Sequence, residues 1–169
     1  MTNKELFNFV KNRRGSIARG DCNKIINRSI QTITIPQMSR IGAYAFRSCT
    51  RLVSVTLPNG ITAVNSYAFA GCTALTTINF PASLSEISDN AFSNCSLLEN
   101  VTLENGFACN GLNLSASTKF SVPTLTAMLQ ALADKTGEQA CTLKLGNTNL
   151  AKLSNEQLAI ATEKNWTLA

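Results

Sequence analysis

Six cysteines and no histidine set the chemical repertoire of this 169-residue chain. Cys49, Cys72 and Cys95 recur at intervals of 23 residues, while Cys22, Cys109 and Cys141 fall outside that register. A thiol can ligate a metal, attack an electrophile or form a disulfide, and each use needs a companion. Zinc would need a Cys-x-x-Cys pair or histidines, and neither is present. A nucleophilic thiol needs an activating base, and histidine is the residue that supplies one near neutral pH. Three cysteines at one repeat position would stand about 4.8 Å apart, but with their side chains parallel and not turned toward one another as a disulfide requires. The thiols therefore read as free, small, weakly polar core residues. With no glycine-rich phosphate loop and no converging carboxylates, the expectation is a non-enzyme without metal or cofactor.

Binding is the remaining chemistry, and charge is distributed unevenly for it. Residues 1–51 carry ten Lys/Arg against Glu5 and Asp21, a net +8, while residues 52–169 carry five against eight, a net −3. Arg40, Arg47 and Arg51 fall close together in sequence, with Tyr44 and Tyr67 nearby, and aromatic and arginine residues are those that anchor protein interfaces. In the 23-residue register Arg47 corresponds to Ala70 and Arg51 to Ala74, so these charges belong to one unit alone. Nucleic acid is disfavoured as a partner, since no recognition motif or interleaved aromatic series accompanies the basic end. Arg19-Gly20-Asp21 spells an adhesive tripeptide, but three residues carry little information and Asp21 reads better as an ordinary helix N-cap.

The elements that must position these residues are repeats. Ala45-Phe46, Ala68-Phe69 and Ala91-Phe92 are each followed by the cysteine and then by Leu52, Leu75 or Leu98. A fixed period in the twenties marks a stacked solenoid, in which each unit covers its neighbour's apolar face. Ile33-Thr34-Ile35-Pro36, Val55-Thr56-Leu57-Pro58 and Ile78-Asn79-Phe80-Pro81 read as short strands stopped by proline, and Val101-Thr102-Leu103 as a fourth without it. The Phe and Cys series should be interior. The Ala-Phe segment reads as a tight piece, with a single helical turn as one option.

Before the array, a capping box of Thr2 with Glu5 opens a helix over residues 3–13, and a second short helix can start at Asp21. That makes residues 1–29 a helical cap and not a secretory signal. Residues 30–114 form the repeats. In residues 115–169, Ser121-Val122-Pro123 starts a helix with Gly137 as its stop. Thr142 to Leu145 and Trp166 to Leu168 are strands, and Ser154 with Gln157 caps a helix between them. This last part should extend the same sheet in parallel through a right-handed crossover. No apolar run reaches the roughly 18–20 residues of a membrane span.

The run Ile41 to Pro58, repeated as Val64 to Pro81 and Ile87 to Leu103, resembles the BspA-type leucine-rich repeat of many bacterial surface and gut-associated proteins. The pattern is I-x-x-x-A-F-x-x-C-x-x-L-x-x-V-x-L-P. The C-terminal run through Gly146-Asn147-Thr148-Asn149 to Asn165-Trp166 also resembles the tail of short bacterial and prophage-encoded members. The resemblance implies an α/β fold: a short right-handed solenoid of parallel strands between an N-terminal helical cap and a C-terminal helix-strand cap. It also implies a non-catalytic protein-interaction role, often adhesion, in proteins that are often secreted or held at the cell surface. A structural subunit of a prophage tail or similar assembly is the alternative. The expected binding residues are Arg40, Arg47 and Arg51, together with Thr34, Thr56, Asn79 and Thr102 on the hydroxyl-rich concave face. Between these two surfaces, the arginine patch is preferred.

Overall fold

The computed structural model describes residues 30–169 and the two-residue strand Ser16–Ile17 (β1). The helices expected over residues 3–13 and from Asp21, and the Arg19-Gly20-Asp21 tripeptide, lie outside the described residues. The strand β1 itself was not legible in the sequence.

Four short strands, β2 (Thr32–Thr34), β4 (Ser54–Thr56), β6 (Thr77–Phe80) and β8 (Asn100–Leu103), pair in that order to form a parallel sheet. Their register aligns Ile33 with Val55, Val55 with Ile78, and Ile78 with Val101. These residues are all buried, and because successive strand residues face opposite sides, the hydroxyl and amide residues beside them face out. A second parallel sheet runs in the order β1, β3 (Arg40–Ile41), β5 (Ala63–Val64), β7 (Glu86–Ile87). Each rung thus makes a strand, a proline-marked turn and a second, shorter strand.

The Ala-Phe segment closes the rung, and it is not a helical turn. Phe46 and Ser48 donate their N–H groups to Ala68 O and Ala70 O of the next rung, at 2.6 and 2.7 Å. Phe69 and Gly71 donate likewise to Ala91 O and Ser93 O. Intervening N–H groups turn back on their own rung, as Cys49 does to Phe46 O. The alternation needs left-handed residues. Ser48, Gly71 and Asn94, one repeat apart, all take φ near +60° to +75°, a conformation glycine and asparagine tolerate best. Inside, Phe46, Phe69 and Phe92 stack with centroids 5.1 and 5.2 Å apart, and Phe80 meets Phe92 edge-on. Full burial of each ring is worth about 1.5–3 kcal/mol.

Beyond Leu103 the rungs change character. Strands β9 (Leu112–Asn113), β10 (Cys141–Lys144) and β11 (Trp166–Leu168) form a third parallel sheet in the order β11-β10-β9. Helix α1 (Val122–Ala131) crosses from β9 to β10, and α2 (Asn147–Leu150) and α3 (Asn155–Glu163) cross from β10 to β11. Ser121 caps α1 and a Ser154–Gln157 capping box opens α3, both as the sequence predicts. Gly137 is not the stop of α1. The helix ends at Ala131 because the next residue, Leu132, bridges to Phe107 and Ala133 N–H donates to Phe107 O, drawing the chain into strand-like pairing. One continuous core runs from Ile30 to Trp166.

Candidate functional site

The outward residues of the first sheet form a groove because α1 stands beside them. Ser54, Thr56, Thr77, Asn79, Asn100 and Thr102 make its floor, and Pro123, Thr124 and Ala127 of α1 its wall, around about 510 Å³. No charged side chain lines it. Of the expected concave residues, Thr56, Asn79 and Thr102 therefore lie together. Thr34 is exposed on β2, one rung beyond the lining. The helical wall was missed. The start of α1 was legible, but the placement of that helix against the edge of the sheet depends on tertiary packing that a local pattern does not carry.

The floor residues differ in how free they are to bind. Asn79 accepts from Leu57 N–H at 2.9 Å and donates to Leu57 O at 3.2 Å, so its amide prolongs the ladder where β4 stops. Thr76 and Thr77 face each other at 3.3 Å, hydroxyl to hydroxyl. Thr56 and Thr102 point outward from β4 and β8 and are exposed. This surface offers neutral donors and acceptors with threonine methyls between them, suited to polar backbone and uncharged side chains.

The three arginines occupy different segments of the first rung. Arg40 is on β3, where its register partner is Ala63, and that of Ala63 is Glu86. Arg51 lies past the Ala-Phe segment, short of β4. Arg47 alone joins the tyrosines. Tyr44 and Tyr67 stack at 5.2 Å with 17° between ring planes, and the Arg47 guanidinium lies 5.5 and 5.8 Å from their centroids.

The thiols are core groups. Cys72 Sγ donates to Phe46 O at 3.1 Å and Cys95 Sγ to Phe69 O at 3.2 Å, each reaching back to the preceding rung. The adjoining sulfurs of Cys49 and Cys95, and then burial, hold the Cys72 thiol far above the ordinary thiol range. Burial first, then Cys141 and Glu86, leaves Cys109 pushed up to about 12. Neither is a thiolate at neutral pH. Among the described residues no His, Cys, Asp and Glu group is arranged to hold a metal ion. No described helix is long and apolar enough to cross a membrane.

These rungs are the product of a known repeat. The family model for the BspA type leucine-rich repeat region matches residues 23–136 in six copies. That is 114 of the 169 residues, and the chain belongs to this family. The match runs past Leu103, through the residues where the Ala-Phe refrain has faded. Among solved structures the chain is similar to the leucine-rich repeat protein TpLRR of T. pallidum, at 18% identity and a TM-score of 0.46, over 91% of this chain and 89% of that one. It is also similar to a leucine-rich cell surface protein of Faecalibacterium prausnitzii A2-165, at 21% identity and a TM-score of 0.43. That similarity covers 79% of this chain and 35% of the other. Comparison with curated proteins finds no match.

Proposed function

We propose that the chain is a non-catalytic protein-binding module that receives a polypeptide segment of its partner in the concave groove. The observation that carries this reading is the groove itself. Three successive rungs present hydroxyl and amide side chains on one face, and α1 walls that face on one side without adding charge. Solenoids of stacked repeats bind through such extended surfaces. An uncharged floor selects against anionic polymers, which need rows of cations, and favours the backbone amides and neutral side chains of a protein segment.

Affinity capture with three baits tests the reading. Wild type and a Thr162→Arg control, which alters an exposed residue of α3, should retain the same partner. A Thr56→Arg/Thr77→Arg variant, which fills the groove from its floor, should lose it. Equal capture by all three would place binding elsewhere. The partner's identity then separates adhesion to a host or matrix protein from assembly into a larger bacterial or prophage structure.

A further inference from the structure

Arg47, an exposed residue, lies against an aromatic platform. Its guanidinium rests near two stacked phenol rings, an arrangement that restricts a long side chain before any ligand arrives. Both tyrosines are half-buried, so the platform is set into the rung. Among the described residues the Arg47 guanidinium makes no hydrogen bond or ion pair, although it carries five N–H donors. Within residues 30–85, the described part of the chain around it, there are three Lys/Arg and not one Asp or Glu.

The backbone beneath the platform is strained in a way the repeat does not require. Tyr44 and Tyr67 take φ of +61° and +56°, a left-handed conformation that a bulky side chain disfavours. At the same register position the third rung has Asn90, which tolerates that conformation better, yet Asn90 is not left-handed. A rung can therefore be built without this strain. At this register position it is confined to the two residues that carry the stacked rings.

We propose that Arg47, seated on Tyr44 and Tyr67, recognises a carboxylate on a partner protein, within a segment where an acidic side chain stands next to an apolar one. The guanidinium fork takes the carboxylate in a bidentate, charge-assisted pair, and the edge of the Tyr67 ring takes the apolar neighbour. A polyanion such as a sulfated glycan is less well served. It would need cations repeating along the stack, whereas the successors of Arg47 are Ala70 and Ser93 and those of Arg51 are Ala74 and Leu97. This site is separate from the concave groove and does not depend on it.

The test is an NMR titration of the full isotope-labelled chain with a capped ten-residue peptide of alternating glutamate and leucine. Its glutamine isostere and a sulfated heparin tetrasaccharide are the comparison probes. The glutamate peptide should give saturable shifts at the Arg47 side chain and at the amides of residues 44–48 and 66–71, and the isostere should give none. Arg47→Gln, a change at an exposed residue, should weaken binding about tenfold, and Arg47→Lys several-fold because a point charge cannot form the fork. The groove-filled Thr56→Arg/Thr77→Arg variant should bind the peptide as wild type does. Equal binding of the isostere, unchanged affinity in Arg47→Gln, loss of binding in the groove variant, or a response to the tetrasaccharide alone would each overturn the assignment.

Discussion

The repeat array and the C-terminal turns solve the same problem with different materials. In the array, short polar side chains reach one rung back and are copied by register: Thr62 Oγ1 to Ser39 O, Ser85 Oγ to Thr62 O, Cys72 to Phe46 O, Cys95 to Phe69 O. Residues 52–114 contain no lysine or arginine. In the C-terminal turns, long or buried side chains collect carbonyls that no regular neighbour can satisfy. Lys152 donates to Thr118 O and Phe120 O, and Lys164 to Gln130 O and Leu132 O at the end of α1. Asn149, fully buried, donates to Ser117 O and Leu145 O. Copied bonds are individually small and replaceable. Removing Asn149, whose two bonds are buried, leaves both carbonyls stranded.

The largest expected effect strikes what the array does not duplicate at any one point, its packing. Phe69 is stacked on both faces and wholly buried, so Phe69→Ala should cost about 3–5 kcal/mol in urea unfolding. A loss below about 1 kcal/mol would mean that the rungs close over the gap and that the stack is not a fixed core.

Polar groups sharpen the contrast between the two regions. Asn149→Ala should cost about 2–3 kcal/mol, because two buried carbonyls lose their donor. Ser66→Ala, which removes a hydroxyl contact of 3.3 Å with Ser88 inside the array, should stay within about 0.5 kcal/mol. Hydrogen exchange locates the damage. In Asn149→Ala the amides of β9–β11 and α1–α3 should lose protection before those of β4, β6 and β8. Similar costs for the two variants would erase the distinction.

What could be read in advance follows the same division. The phenylalanine spine, the buried cysteines and the outward threonines were legible because a 23-residue spacing states each of them three times. The role of the thiols as donors to the preceding rung was not, since spacing gives burial and not the direction of an S–H bond. In the C-terminal turns the helix starts were legible from Ser121 and Ser154, which act locally. The end of α1 was misplaced because Phe107, far away in sequence, decides it. The three arginines fall on three segments of the rung, β3, the Ala-Phe segment and the run into β4, and the contact of Arg47 with both tyrosines could not be read from their spacing. Local chemistry and repetition can be read from the letters, whereas contacts made once between distant segments cannot.

A small, salt-dependent effect is expected at the seam between the two regions. Asp89, just past β7, takes Lys144 Nζ from β10 at 2.7 Å and Asn113 Nδ2 from β9 at 3.1 Å on the same carboxylate oxygen. Lys144 chiefly, with Asn113 adding to it, holds this carboxyl below the usual aspartate range. A depressed folded-state value means that the contribution is present above the unfolded value of about 3.9 and is lost as pH falls through the folded one. Both partners are well exposed, so screening limits the pair to about 0.2–1 kcal/mol. Asp89→Asn should therefore be slightly less stable than wild type at neutral pH and low salt. The gap should shrink in 1 M salt, where the screening length falls to about 3 Å, and begin to close as pH falls below about 3.9, vanishing below the depressed folded-state value. A gap that persisted in both conditions would show that Asp89 acts through packing or the Asn113 bond. The seam would then be held like the C-terminal turns, by a fixed polar anchor, and not by a solvent-exposed charge pair.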